Sequence, residues 1–183
     1  PPHFGHLHLA LTLKERHGLD EIWFVPAALS PHKELGSCVS FDDRLQMLEL
    51  FLEEFSFCRV LDIELQRGTP SYTFDTLEQL SRKSQDQLFL LLGEDCLERF
   101  HQWYKILEIV KLVPLLVGSR SSKGIELMDE GVIKESVKKG FTKMPLLDIS
   151  SSWIRGRLKK TLYCKHLMDR KVLDYIYQNG LYM

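Results

Sequence analysis

Leu88-Phe89-Leu90-Leu91-Leu92 is an unbroken apolar run of strand length, closed by Gly93-Glu94-Asp95. A strand with one wet face alternates apolar and polar residues, so a run without alternation must be covered on both faces. Further strand candidates stand at Ile22–Val25 ahead of Pro26, at Phe57–Ile63, at Val113–Val117 and at Met144–Ile149. Helical patterns separate them. Leu7–Arg16 has helical spacing and stops at Gly18, a C-cap residue. Ser40 with Asp43 forms a capping box for a helix through Leu45, Leu48 and Leu52. Ser71 or Thr73 is placed to cap a helix through Leu77 and Leu80, and two short helical stretches flank Trp103. Ser150-Ser151-Ser152 opens a helix with Ile154 and Leu158 inward, and Asp169–Tyr177 closes the chain ahead of Asn179-Gly180. The weakly patterned stretch Gly124–Gly140 reads as a surface excursion. Short strands alternating with helices predict an α/β fold, a parallel sheet with helices on both faces. In such folds ligands bind at the carboxyl ends of the strands, so the loops after the strands are where chemistry is sought.

Bulk properties narrow the function classes. The 183 residues fit one domain, residues 1–183. A net charge of −1 supplies no basic field to hold nucleic acid by its backbone. Cys38, Cys58, Cys96 and Cys164 form no C-x-x-C pair and no metal-ligand spacing, which reads as reduced thiols. No apolar stretch nears the roughly 20 residues of a membrane span. No basic-then-apolar segment opens the chain. The expected location is the cytoplasm, without membrane or nucleic-acid partners, and self-association into a homo-oligomer is compatible with the sequence.

Two segments can carry chemistry. His3-Phe4-Gly5-His6 puts two imidazoles on one face of a helix start, with a glycine that lets a ligand approach the backbone. Free N–H groups and the positive dipole end make such a start a phosphate site. By itself the motif is equally a pair of solvated histidines. Ile149-Ser150-Ser151-Ser152-Trp153-Ile154-Arg155 puts hydroxyls and a guanidinium at a second helix start. By itself that is an ordinary capped helix. Together they place a phosphate-type helix start near each end of the chain.

The pair resembles the nucleotidyltransferase superfamily, marked by H-x-G-H early and I-S-S-T-x-I-R late. The first motif matches unchanged; the second has Ser152 where threonine is usual, which keeps the hydroxyl. Further segments are similar to nicotinate-nucleotide adenylyltransferases, in order along nearly the whole chain. They are Pro1-Pro2, Val25-Pro26 with Ser30-Pro31-His32-Lys33, Arg44 with Met47-Leu48, and Glu64. Gly68, Pro70-Ser71-Tyr72-Thr73 and Asp75-Thr76-Leu77 continue the match, followed by Gly93-x-Asp95, Trp103-Tyr104, Arg120 and Val172–Tyr182. The resemblance implies a Rossmann-like fold whose first strand and Gly-rich turn are expected upstream of Pro1. It implies transfer of AMP from ATP to nicotinate mononucleotide, with Mg2+ carried on ATP and no dedicated metal ligands in the protein.

The implied roles are specific. His3, His6 and Arg155 would act on the phosphates during transfer. His3, Gly5, His6, Arg120, Ile149, Ser150, Ser151, Ser152 and Arg155 would bind ATP. His32, Lys33, Thr73, Asp95, Trp103 and Tyr104 would bind nicotinate mononucleotide. On chemistry alone Lys33 also reads as a solvated loop lysine and Trp103 equally as a core anchor, while Asp95, directly after a buried strand, reads as a site residue that could cap the next helix as well. In the family, an aromatic ring stacks on the pyridine while backbone N–H groups, of Thr73 and Tyr104 here, read the carboxylate. Three rivals stand beside this reading: an adenylyltransferase for another phosphate acceptor such as pantetheine phosphate, a nucleotide-sensing module without turnover, and a fragment of a class I aminoacyl-tRNA synthetase. His8 and His17 are expected to face solvent, and His101 and His166 lack a partner motif. Phe51, Phe55 and Phe57 sit at core-like positions, and Lys138-Lys139 and Lys159-Lys160 on solvated faces.

Overall fold

The structure is a computed structural model describing residues 1–28, 39–67, 70–119, 123–126, 128, 131–145 and 147–183. The chain divides into two compact units. One comprises Pro1–His8, Leu19–Thr69 and Leu147–Met183; the other comprises Leu9–Gly18 and Pro70–Leu146.

In the first unit, strand β1 (Ile22–Phe24) pairs in parallel with β2 (Cys58–Val60), Ile22 opposite Cys58. Parallel neighbours need a crossover, and helix α2 (Phe41–Leu52) lies in that connection. Ser40 caps α2: its Oγ accepts the Asp43 N–H at 3.0 Å and donates to Asp43 Oδ2 at 2.6 Å. The expected capping box is therefore present in modified form, because the Asp43 carboxylate takes the serine hydroxyl rather than reaching back to the Ser40 N–H. Its other oxygen accepts the Tyr175 hydroxyl at 2.8 Å, tying α2 to the last helix. Helices α8 (Ser151–Leu158) and α9 (Arg170–Gln178, capped by Asp169) close the unit. Met47, Phe51, Ile154, Leu158, Val172 and Ile176 form its buried core. Ile154 and Leu158 point inward as their spacing predicts. Phe51 is buried, while Phe55 and Phe57 are half-buried and pack edge to face.

In the second unit, β3 (Leu90–Gly93), β4 (Leu115–Ser119) and β5 (Phe141–Lys143) form a parallel sheet in the order β3-β4-β5. The middle strand β4 is buried along its whole length, as its unalternating sequence requires. Helices α3 (Thr73–Lys83), α4 (Glu94–Phe100), α5 (Ile106–Leu112), α6 (Lys123–Glu126) and α7 (Val132–Lys139) complete the unit. Helix α1 (Phe4–His17) begins in the first unit and ends in this one, where Gly18 takes φ +63° at its C-terminus.

Three local expectations are corrected. The last strand is Phe141–Lys143, not Met144–Ile149. Met144 still donates its N–H to the Ser119 carbonyl at 2.9 Å, but Pro145 has no N–H to continue the ladder. The stretch Gly124–Gly140 is not a plain excursion: it contains α7, with Val137 fully buried. Its apolar stripe is only Ile133 and Val137, widened by the buried stem of Lys134, whose Nζ donates to the Met128 carbonyl at 2.9 Å. A lysine used as an apolar stem is invisible to a hydrophobicity pattern. Helix α3 is capped by neither Ser71 nor Thr73; Tyr72 holds the N-cap position and makes no side-chain cap bond.

Candidate active site

His3 is the N-cap of α1, because its carbonyl accepts the His6 N–H at 2.9 Å. His6, one turn in, returns the favour: its Nδ1 accepts the His3 backbone N–H at 3.3 Å. A glutamate or glutamine usually fills that role in a capping box. A neutral imidazole that accepts through Nδ1 carries its proton on Nε2. The two rings stack with centroids 3.7 Å apart and planes 23° apart.

His3 is 4% exposed, and its Nδ1 is buried without a hydrogen-bond partner among the described residues. Burial, and then the neighbouring His6 charge, lower its pKa from 6.5 to about 3. His3 is therefore neutral at physiological pH in the unliganded protein, and an anion near the ring would draw a proton toward it. The same depression governs stability. Between about pH 6.5 and 3 the unfolded chain holds a proton on this residue that the folded chain rejects, so folding weakens as pH falls through that window. By pH 5 the loss is about 2 kcal/mol. His3→Asn removes the titration. Urea unfolding of both proteins at pH 7.5 and pH 5 should find the wild type losing about 2 kcal/mol more than the variant. Equal losses would contradict the neutral buried imidazole.

Helix α8 begins beside this pair. Ser151 Oγ donates to the Pro1 carbonyl at 2.9 Å. A Cβ placed on Gly5 would press on His3 Cε1 and Nδ1 at 3.0 Å and stand 3.4 Å from the Ile149 carbonyl oxygen. Glycine at position 5 thus lets the two motifs lie against one another. Ser150 caps α8, its Oγ accepting the Trp153 N–H at 3.2 Å. Arg155 donates to Ser152 Oγ at 2.9 Å, which brings the guanidinium back to the helix start. His3, Gly5, His6, Ile149, Ser150, Ser151, Ser152 and Arg155 are therefore gathered in one unit around two adjoining helix N-termini. Two imidazoles, three hydroxyls, one guanidinium and two helix N-termini are groups of the kind that can hold phosphate oxygens.

The residues expected to bind the acceptor fall partly in the second unit. Thr73 is the first residue of α3, whose N-cap makes no side-chain bond. Asp95 lies in the first turn of α4, exposed. The N-cap there is Gly93, so the helix-cap reading of Asp95 is excluded. Trp103 is half-buried, edge-on to Phe100 with centroids 5.0 Å apart. Tyr104 lies against Tyr72 at 4.6 Å and edge-on to Phe74 at 6.4 Å. Lys105, which the sequence does not single out, sets its Nζ over Phe74 at 4.3 Å and over Tyr104 at 5.2 Å. The signal for this cluster would have been aromatics at the start of one helix and before another, but their meeting depends on α3 packing on α5. His32, Lys33 and Arg120 lie outside the described residues. Among the described residues, no three His, Cys, Asp or Glu side chains group so as to hold a metal ion, and no helix is long and apolar enough to cross a membrane. His17, expected to face solvent, is exposed but shares a 2.8 Å hydrogen bond with Thr142 Oγ1, and His166 stacks on Tyr163.

Known proteins resemble this chain along its whole length. The cytidylyltransferase-like family model matches residues 1–157. The chain is 36% identical over 183 residues to a probable nicotinate-nucleotide adenylyltransferase of Bacillus cytotoxicus, covering all of this chain and 93% of that protein. It is 38% identical, with the same coverage, to one of Bacillus cereus. Among solved structures, it is similar to the Plasmodium falciparum nicotinic acid mononucleotide adenylyltransferase complexed with NaAD. That match has a TM-score of 0.78 and 20% identity, over all of this chain and 92% of the other. The same enzyme complexed with APC aligns with a TM-score of 0.76. At that identity the structures speak for the fold.

Proposed function

The chain belongs to the cytidylyltransferase-like family and, within it, to the nicotinate-nucleotide adenylyltransferases, and we propose on that footing that it transfers AMP from ATP to nicotinate mononucleotide. The products are nicotinate adenine dinucleotide and pyrophosphate, a step in making NAD. The observation that carries the reading is the contact between the two helix starts, Ser151 Oγ on the Pro1 carbonyl beside the stacked His3 and His6 rings. Two remote phosphate-type motifs have no structural need of one another; a shared polyphosphate supplies one.

An oxygen of the mononucleotide phosphate attacks the α-phosphorus of ATP. The new P–O bond forms as the bond from the α-phosphorus to the bridging oxygen breaks, and pyrophosphate leaves with that electron pair. The nucleophile is already an anion, so no general base is needed and the protein supplies position and charge. His6 donates its Nε2–H to phosphate oxygens as negative charge develops on the leaving side. His3, neutral until the phosphates arrive, gains a proton in their field and adds a cation at the same place. The α8 N–H groups, Ser151, Ser152 and Arg155 hold the tail, with Arg120, Gly5, Ile149 and Ser150 completing the ATP contacts. His32, Lys33, Thr73, Asp95, Trp103 and Tyr104 hold the acceptor. Mg2+ enters as part of the ATP substrate, bound by phosphate oxygens and water. Residues 1–183 are read as one nucleotidyltransferase domain, working in the cytoplasm.

The test is pyrophosphate release by the purified protein with MgATP and, in separate reactions, nicotinate mononucleotide or pantetheine phosphate. Turnover is expected with the pyridine nucleotide alone. Release with pantetheine phosphate and none with nicotinate mononucleotide would replace this reading by its nearest rival.

A further inference from the structure

We propose that Lys105 is the cation that selects a carboxylate over a carboxamide on the acceptor's pyridine ring. The inference deepens the function proposed above and rests on it. Lys105 is exposed, yet its ammonium does not trail into water: it lies over the faces of Phe74 and Tyr104, at 4.3 and 5.2 Å. Two other lysines, Lys138 and Lys171, pair with carboxylates, the first with Glu135 and the second with Glu53 and Glu54. Among the described residues, Lys105 has no carboxylate partner.

The backbone adds a second observation. Lys105 sits at φ 52° and ψ 44°, the left-handed region, at the N-cap position of α5. A long side chain is rarely held there, and neither an asparagine nor a glycine occupies the position to make it easy. Such an outlier points to a requirement on where the side chain goes. Here it goes onto a cluster of flat faces, since Tyr104 also meets Tyr72 at 4.6 Å. Phe74, under the ammonium, follows Thr73, the first residue of α3, whose helix start lacks a side-chain cap.

The chemistry these groups share is recognition of a flat ring that bears a negative charge. Aromatic faces take the ring. The ammonium, pre-positioned by the cation–π contacts and free of an internal counter-charge, takes the anion. A neutral carboxamide has the same shape but gains nothing from the cation, so discrimination comes from the charge rather than from the fit.

Lys105→Met keeps the aliphatic stem on the rings and removes only the charge; Lys105→Arg restores a charge of different shape. Initial rates with MgATP, and calorimetric binding, are measured with nicotinate and with nicotinamide mononucleotide. For Lys105→Met the expected result is a rise of about tenfold in KM and Kd for the nicotinate form, with kcat within about threefold. Nicotinamide mononucleotide should be unaffected, and Lys105→Arg should recover most of the selectivity. A Lys105→Met enzyme with wild-type selectivity, or one weakened equally toward both nucleotides, overturns the assignment and leaves the lysine a structural clamp on α5. A wild-type protein that turns over neither nucleotide overturns the proposed function itself, before any variant is made.

Discussion

His6→Asn should lower kcat by about a thousandfold while ATP binding stays within about tenfold. The expected loss follows from dividing the two ring nitrogens between two tasks. Nδ1 accepts the His3 N–H and so closes the α1 start. Nε2–H is the donor assigned to the phosphates in the proposed reaction. Asparagine carries its acceptor near the place of Nδ1 and has nothing at the place of Nε2, so it keeps the cap and deletes the donor. Glutamine carries its amide out toward the place of Nε2 and so keeps a donor there. His6→Ala loses both and should show the catalytic defect plus about 1 kcal/mol of lost stability. Steady-state kinetics and urea unfolding on the three variants separate the tasks. The catalytic order expected is glutamine above asparagine and alanine; the stability order is asparagine above alanine. An asparagine variant working at the wild-type rate would remove His6 from the phosphate chemistry.

The second large effect lies away from the site. Gly140→Ala should cost at least about 3 kcal/mol, a large share of the roughly 5–15 kcal/mol that holds a domain together. A Cβ at position 140 would fall 1.6 Å from the Leu115 carbonyl oxygen and 2.6 Å from its carbon. Those are backbone atoms of β4, the middle strand, so no rotamer change relieves the overlap. Nor can the chain retreat, because the Gly140 carbonyl accepts the Val117 N–H at 2.9 Å where α7 gives way to β5. The matched comparison is Gly156→Ala in α8, where an added Cβ meets nothing within 4 Å. There alanine should gain about 0.5–1 kcal/mol by limiting the unfolded chain. Denaturant midpoints for the two variants should move in opposite directions. A Gly140→Ala protein as stable as the wild type would mean that β4 and the α7–β5 connection do not pack as described.

How much of this was legible in the sequence can be judged element by element. The β3 and β4 runs were readable because burial on both faces leaves only apolar residues, and α8 and α9 because their inward residues recur at helical spacing. The α1 and α8 motifs were readable because phosphate chemistry limits which residue types can serve. Helix α7 was hidden because a lysine stem covers part of its buried face. The last strand was misplaced because composition does not show which residues find a partner: Phe141–Lys143 pair with β4, while the more apolar stretch after Met144 is stopped by Pro145. The aromatic and lysine cluster at Tyr72, Phe74, Tyr104 and Lys105 was only half visible, through Tyr104 and its neighbour Trp103.

By itself, then, the order of residues determined the layer type, the two phosphate-type helix starts and the family they belong to. Each is a local requirement, of burial, helix capping or anion chemistry, that a short segment must satisfy alone. Only the tertiary structure decided that His3 would be buried and neutral, that Ser151 would reach the Pro1 carbonyl, and that the ammonium of Lys105 would rest on Phe74. Those facts depend on which distant segments share a surface. Contact across the chain is set by packing the whole core at once, and no single stretch of sequence records it.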